Sequence, residues 1–426
     1  MTGLHHPLRF LLSGGVCLSL LFASRAFSQD LYVGSNSSSQ STNFSDGNTY
    51  SYGNTYVGYN SGDSNNQLSV GNTPTLLTNS GDLYVGYAGS SNSMVITNGG
   101  AVANQNGWIG YTDTASNNSV LVSDSGSTWT SAGDLTVGSD GSGNSLVISN
   151  GASVAVTGSS YGIAIGLNSN SSNNSILVTG ANSTGASSLN SGIDIIIGNY
   201  GSGNSLTIAS DTSGGTSSVT AIGNVVLGAQ SGSLNNSLLI DGSNSTLSAQ
   251  NLTIGSNGSA NSLILTNGSL AIVLGDFAQG QGTSSNNITT VIGTNSFLDV
   301  LGNVYLSGGN QSGNQFNILN GGQVDATSLQ SDVANGNSPG SNNSILISGN
   351  ASGISSSLSL GFDLTFGSGG QNDTLTISDG AIVTSRSAYL DSATNGSAGN
   401  TILVTGAVPH GLIAVISFLV RMEAET

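Results

Sequence analysis

Two short alternating patterns recur along the chain. The first is Asn-Ser-apolar-x-apolar, as in Asn92 to Ile96, Asn118 to Val122 and Asn144 to Ile148. It returns at Asn174, Asn204, Asn236, Asn261 and Asn343, with looser copies from Asn66, Asn287, Asn314, Asp373 and Asn400. Successive copies lie 25 to 32 residues apart. The second pattern, apolar-x-apolar-Gly, precedes the first: Leu83 to Gly86, Leu135 to Gly138, Ile163 to Gly166 and Leu252 to Gly255. Both have period two and are bounded by Gly, Asn or Ser, so each predicts a short strand.

The alternation also separates inside from outside. In the first pattern the flanking positions stay apolar (Leu146 and Ile148, Leu206 and Ile208, Leu238 and Ile240, Phe316 and Ile318), while the middle one wanders through Val147, Thr207, Leu239 and Asn317. Adjacent side chains on a strand point to opposite faces, so the flanking pair is expected in a core and the middle residue in solvent.

A longer period overlies the single repeat. From the strand-ending Gly to the motif Asn the gap is six residues after Gly86, Gly138, Gly198 and Gly255, and eight after Gly58, Gly110, Gly166 and Gly228. Two six-gap copies run on into Asn98-Gly99 and Asn150-Gly151, each followed by a further strand; eight-gap copies run on into segments such as Ser127-Thr128-Trp129. The unit is a pair of unlike copies, and it fades after Gly275.

One copy cannot bury its few apolar side chains alone; stacking copies does. Wound one turn per repeat, equivalent strands would lie in parallel ladders about 4.8 Å apart. Motif Asn would stack on motif Asn, satisfying the amides along the stack. Gly would supply corners needing positive φ or close backbone approach. The expected fold is all-β, a single elongated β-solenoid of about thirteen coils, on the order of 60 Å long from the strand spacing. The rival is an array of β-sandwiches built from hairpins, which Asn-Gly turns would suit. A repeat this short falls well below the roughly 100 residues of a sandwich domain.

Composition agrees with a repeat that buries its apolar surface in small portions. The 426 residues include 63 Gly, only 6% charged residues and no Lys. The basic residues are Arg9, Arg25, Arg386 and Arg421, and the Glu residues are Glu423 and Glu425. Apolar residues still reach 36%, at regular intervals, which argues against disorder. A net charge of −17, spread as isolated Asp, leaves no basic patch to neutralise phosphates, so nucleic acid is not an expected partner.

Residues 1–28 read as a secretory signal: His5, His6 and Arg9, an apolar run from Phe10 to Ala23, and the small-x-small site Ala26-Phe27-Ser28, with Gln29 as the mature N-terminus. Cys17, the one cysteine, lies inside it, so no disulfide is expected to hold the mature fold.

Asp134 to Gly138, Asn144 to Gly151 (NSLVISNG) and Ser125 to Trp129 (SGSTW) resemble the repeat shared by autotransporter passenger regions and PEP-CTERM surface proteins. The likeness runs over roughly residues 31 to 406. Each copy is short, and the tandem series supplies the specificity. The resemblance implies an extracellular right-handed parallel β-helix with an adhesive or surface role. The C-terminus departs from both families. No series of barrel strands follows, and Val408-Pro409-His410 leads into an apolar run, Gly411 to Val420, then Arg421. Ten apolar residues are half of the roughly 20 that span a bilayer as a helix. A degenerate sorting tail, a truncated or frameshifted gene and a buried cap stay open.

Little chemistry is on offer. Beyond the signal the chain has one His, His410, and, before the tail, one Arg, Arg386. A zinc site lacks ligands, and the Gly-Gly-x-Gly-x-Asp repeat of calcium-binding solenoids is missing. Polysaccharide-cutting β-helix enzymes use clustered Asp with Lys, Arg or His. Here Asp82, Asp134 and Asp194 recur at one repeat position, which fits turn capping. Aromatic residues concentrate in the first third: Trp108 and Trp129 with Tyr32, Tyr56, Tyr59, Tyr84, Tyr87 and Tyr111. They either cover neighbouring coils and corners or form a glycan-binding face.

The organisation expected is a signal at 1–28, a solenoid at 29–406 whose two-coil repeat is regular to about 275, and an apolar tail at 407–426. The expected function is an exported, non-catalytic structural or adhesive protein at the cell surface, associated with the outer membrane, or extracellular. Expected partners are extracellular glycans or other surface components, with no catalytic, cofactor or metal site. The alternatives are a carbohydrate-binding or carbohydrate-active β-helix protein, and a truncated passenger without present function.

Overall fold

The computed structural model describes residues 29–180, 185–210, 215–308, 311–331, 340–390 and 398–406. The signal with Cys17, the tail with His410 and Arg421, and the expectations placed on them lie outside the described residues.

Each of the first thirteen coils repeats one three-strand path. In the fifth coil, Leu135–Val137 lies in a first sheet, Ser145–Ser149 in a second and Ser153–Val156 in a third. Strand-to-strand pairing runs from coil to coil, always parallel, building sheets of 14, 14 and 13 strands. The β-solenoid is therefore the observed fold, and its coil number matches the sequence expectation. The sandwich rival fails on this topology: among the described residues the antiparallel pairing is one small hairpin, Asn350–Ala351 with Ile354–Ser355. Its turn residues Ser352 and Gly353 have φ of 55° and 81°, the signs a two-residue hairpin needs. Asn-Gly pairs do other work here. Asn98-Gly99 and Asn150-Gly151, also at positive φ, turn the chain from the second sheet to the third.

The core follows the alternation. Leu146 and Ile148 are fully buried, as are their registered neighbours Ile176 and Val178, and Val147 points outward between Leu121 and Leu177. Each buried aliphatic side chain contributes about 1.5–3 kcal/mol, so a coil is held by a few such residues together with its ladders.

Two features tie coil to coil at the corners. Motif Asn side chains form a buried ladder: Nδ2 of each donates to Oδ1 of the next in ten consecutive links from Asn66 to Asn343, at 2.9–3.2 Å. The same oxygen accepts the preceding Asn's backbone N–H, at 2.8 Å from Asn144 to Asn174. Strand-ending Gly makes room for the ladder. Gly138 has φ +77°, and a Cβ there would overlap the Asn174 amide. The second feature explains the alternating gaps. Gly89, Gly141, Gly201 and Gly258 in the short loops each seat against a backbone carbonyl of the preceding long loop, at Asp63, Ala115, Ser171 and Ser233. A Cβ at any of the four would strike that oxygen.

The fading of the pattern after Gly275 has a physical counterpart. Gln279 and Thr289 occupy inward positions that are aliphatic in earlier coils, Ile254 and Leu263. Gln279 Nε2 donates to the carbonyls of Asn287 and Gln315, while Gln279 Oε1 and the Thr289 hydroxyl lack partners. The three sheets nevertheless continue, the first to Ser387–Leu390, the second to Thr401–Thr405 and the third to Ile382–Thr384.

Candidate functional site

A second ladder stands just before the first-sheet strands and accounts for the recurring Asp. Asp30 Oδ1 accepts the Asn54 backbone N–H and Nδ2 at 2.7 and 3.2 Å. Asn54 Oδ1 accepts the Asp82 N–H, Asp82 Oδ1 accepts from Asn106, and Asn106 Oδ1 accepts the Asp134 N–H. Asp and Asn alternate here, so no two of these carboxylates stack on adjacent coils. Further on, Asp194 accepts from Asn224, and Asn251 accepts the N–H of Asp276. Its donors face the N-terminus, opposite to the buried ladder, so the two rows of side-chain dipoles oppose each other.

At Asp134 burial pushes the carboxyl toward its neutral form. The backbone N–H groups of Ser159, Ser160, Gly162 and Tyr161 outweigh that and hold its pKa below the usual range. Asp82, Asp134 and Asp194 are thus backbone caps. Sequence reading assigned them that role but missed their Asn partners. The signal was present in the pairs Gly53-Asn54, Gly81-Asp82, Gly133-Asp134 and Gly223-Asn224 at one repeat position.

Seven of the eight aromatic residues singled out in the sequence converge on one outer face of the first four coils. Tyr32, Tyr56, Tyr84 and Trp108 hold the outward middle position of the first sheet, on strands Leu31–Val33, Thr55–Val57, Leu83–Val85 and Gly107–Ile109. Neighbouring rings stack at centroid distances of 5.0, 5.0 and 6.4 Å, within 12° of parallel. Tyr59, Tyr87 and Tyr111, one residue past the corner Gly, form a second row at 5.2 and 5.1 Å. Contacts between the rows are edge-to-face, 5.1–5.7 Å apart at 80–86°.

This herringbone follows from the coil spacing. Rings translated by about 4.8 Å touch at about 3.5 Å only if inclined by about 45° to the axis. Two rows inclined in opposite senses then meet nearly at right angles, the edge-to-face geometry that ring quadrupoles favour. The offset leaves part of each face uncovered: six rings are half-buried and Tyr32 is 45% exposed.

Polar tips point to the Asp ladder. The Tyr84 hydroxyl and Trp108 Nε1 donate to Asp82 Oδ2 at 3.0 and 3.3 Å. Burial, with the Asp30 charge and neighbouring phenols, pushes the Tyr56 hydroxyl up to about 12. Burial and Asp82 raise Tyr84 further. These phenols stay protonated donors at neutral pH.

The eighth aromatic does not join them. Trp129 is fully buried on the third sheet, and its Nε1 donates to Asn104 Oδ1 at 2.6 Å. Its space comes from Gly107, which stands between Leu83 and Leu135 in an inward column; a Cβ there would sit 2.7 Å from the Trp129 ring. Arg386 pairs with Asp363 at 3.4 Å and lies over the Phe362 ring. Elsewhere Asp299 and Asp325 face out on paired strands of the third sheet. Desolvation against the sheet surface, then the Asp299 charge, raise the pKa of Asp325.

No protein-family model matches the chain, and no curated protein does. Among solved structures the chain is similar to a crystallised TibA fragment, hyper-glycosylated by TibC. The two share 16% identity with a TM-score of 0.35, over 88% of this chain and 98% of that one. The fold assignment rests on the chain's own ladders.

Proposed function

We propose that this protein is an exported, non-catalytic rod of the cell surface or extracellular space, with a structural or adhesive role. The observation that carries the reading is how the recurring Asp are used. Asp82, Asp134 and Asp194 are committed to backbone N–H groups of the next coil, the opposite of carboxylates held free for acid–base work. The signal-like segment at 1–28 supports export. A chain rich in Gly, Ser and Asn, with no Lys and with self-satisfying ladders, suits a rod that keeps its shape without disulfides.

Fractionation of the native host with an antibody to the repeats tests this. Protein in the surface or medium fraction, beginning at Gln29, is the expected result. A cytosolic chain that retains Met1 overturns the reading. The non-catalytic part is tested at the neighbouring carboxylates Asp299 and Asp325: polysaccharide turnover abolished by Asp325→Asn would refute it.

A further inference from the structure

Seven aromatic rings gather on four coils, and the next six coils carry none at the same two positions; single rings return to the outward column at Tyr305 and Tyr389. At the same outward column the next strands carry Thr136, Ala164, Ile196, Val226, Thr253 and Ala278. Those strands stack in the same register with small or aliphatic side chains, so stacking alone does not call for a two-row aromatic face. This face also has a polar margin. The Asp30–Asn54–Asp82–Asn106 ladder runs beside it, and Asp82 Oδ2 is reached by both a phenol and an indole.

We propose that the aromatic face of the first four coils binds a neutral glycan chain laid along the rod axis. The inference deepens the adhesive reading and rests on it. Sugar rings present apolar C–H faces and equatorial hydroxyls. Inclined aromatic rings take the first by packing, and phenol, amide and carboxylate groups at the margin take the second by hydrogen bonding. The site repeats coil by coil, about every 4.8 Å, on the scale of one sugar unit in an extended chain. Both aromatic rows run along the axis, so a polymer lying along them meets the same groups repeatedly. Charge selects the neutral class. The protein carries −17, has no Lys, and its one described Arg, Arg386, lies far along the rod, so an anionic glycan would be repelled.

The test titrates exported protein with cellohexaose, laminarihexaose and chitohexaose, with hexagalacturonate as the anionic comparator. Trp108 is the built-in reporter, because it is half-exposed on the face while Trp129 is buried. A neutral hexaose should shift tryptophan emission and protect it from acrylamide quenching, and Trp108→Phe should abolish both effects. Tyr87→Ala, at the centre of the second row, should weaken binding at least tenfold with an unchanged unfolding midpoint. If that variant unfolds the first coils, protection of Trp108 in the unaltered protein still decides. The inference falls if no neutral hexaose protects Trp108, if hexagalacturonate binds better, or if folded Tyr87→Ala binds like the parent. Surface location without glycan binding would remove this inference and leave the exported rod standing; cytosolic location would remove the rod reading itself.

Discussion

The Asn118 amide donates to Asn144 Oδ1 at 3.1 Å, and the Asn118 backbone N–H donates to the same oxygen at 2.9 Å. One side-chain acceptor thus satisfies two buried donors of the preceding coil. Asn144→Ala strips both. An unsatisfied buried donor costs about 1–3 kcal/mol, so the variant should lose about 3 kcal/mol or more. Asn170→Ala, at an exposed loop position, should stay within about 0.5 kcal/mol. Denaturant unfolding of the two variants checks the contrast, and equal losses would dismiss the ladder as a source of stability.

Gly138→Ala meets two obstacles, a φ of +77° and the Asn174 amide. The backbone alone costs about 1–2 kcal/mol, and displacing a ladder amide adds to it. Gly62 has open space where its Cβ would be, so Gly62→Ala should be nearly neutral. Thermal unfolding of both variants is the measurement.

Leu146→Asp places a charge in an apolar core with no cation nearby, and should cost several kcal/mol or unfold its coil. Val147→Asp, facing out between Leu121 and Leu177, should cost no more than about 1 kcal/mol. Each coil contacts only its neighbours, so the damage should be local. Limited proteolysis should nick Leu146→Asp within residues 120 to 175 and spare distant coils. Similar digestion of both variants would refute the inside-outside assignment.

Asp325 gives a pH signature. Its folded pKa is raised, so the folded state favours the protonated carboxyl. Stability should therefore be highest below the unfolded carboxylate value, about 3.9, fall as pH rises from there, and level off above the raised folded value. Asp325→Asn should remove that fall and stabilise the protein at neutral pH. Asp134 acts in the opposite sense: its lowered folded pKa adds stability above the unfolded value, which is lost as pH falls through the folded one. Carbon-13 carboxyl titration separates the two residues. An unaltered stability profile in Asp325→Asn would discount the Asp299–Asp325 pairing.

The parts of this fold that were legible in the sequence are those in which one residue type repeats at one position. Asn144 with its counterparts, and the Leu146/Ile148 pair, announce ladder and core because each acts on a copy of itself one coil away. The mixed ladder escaped, because Asn54 and Asp82 do the same work with different letters. Trp129 escaped for a second reason. Its pocket depends on Gly107, on another sheet of the same coil, and such a size exchange between unlike positions has no local signature. The aromatic face was visible as a concentration of rings. Its herringbone was not, because ring inclination is set by the coil spacing.

The seating of Gly141 against the Ala115 carbonyl, repeated at Gly89, Gly201 and Gly258, constrains how such a gene can grow or shrink. Deleting a single coil from the first nine would bring two loops of like length together and remove a glycine seat. Deleting or duplicating a neighbouring pair would restore every contact. Unequal recombination between repeats is therefore tolerated in steps of two coils, and rod length in natural variants should be quantised accordingly.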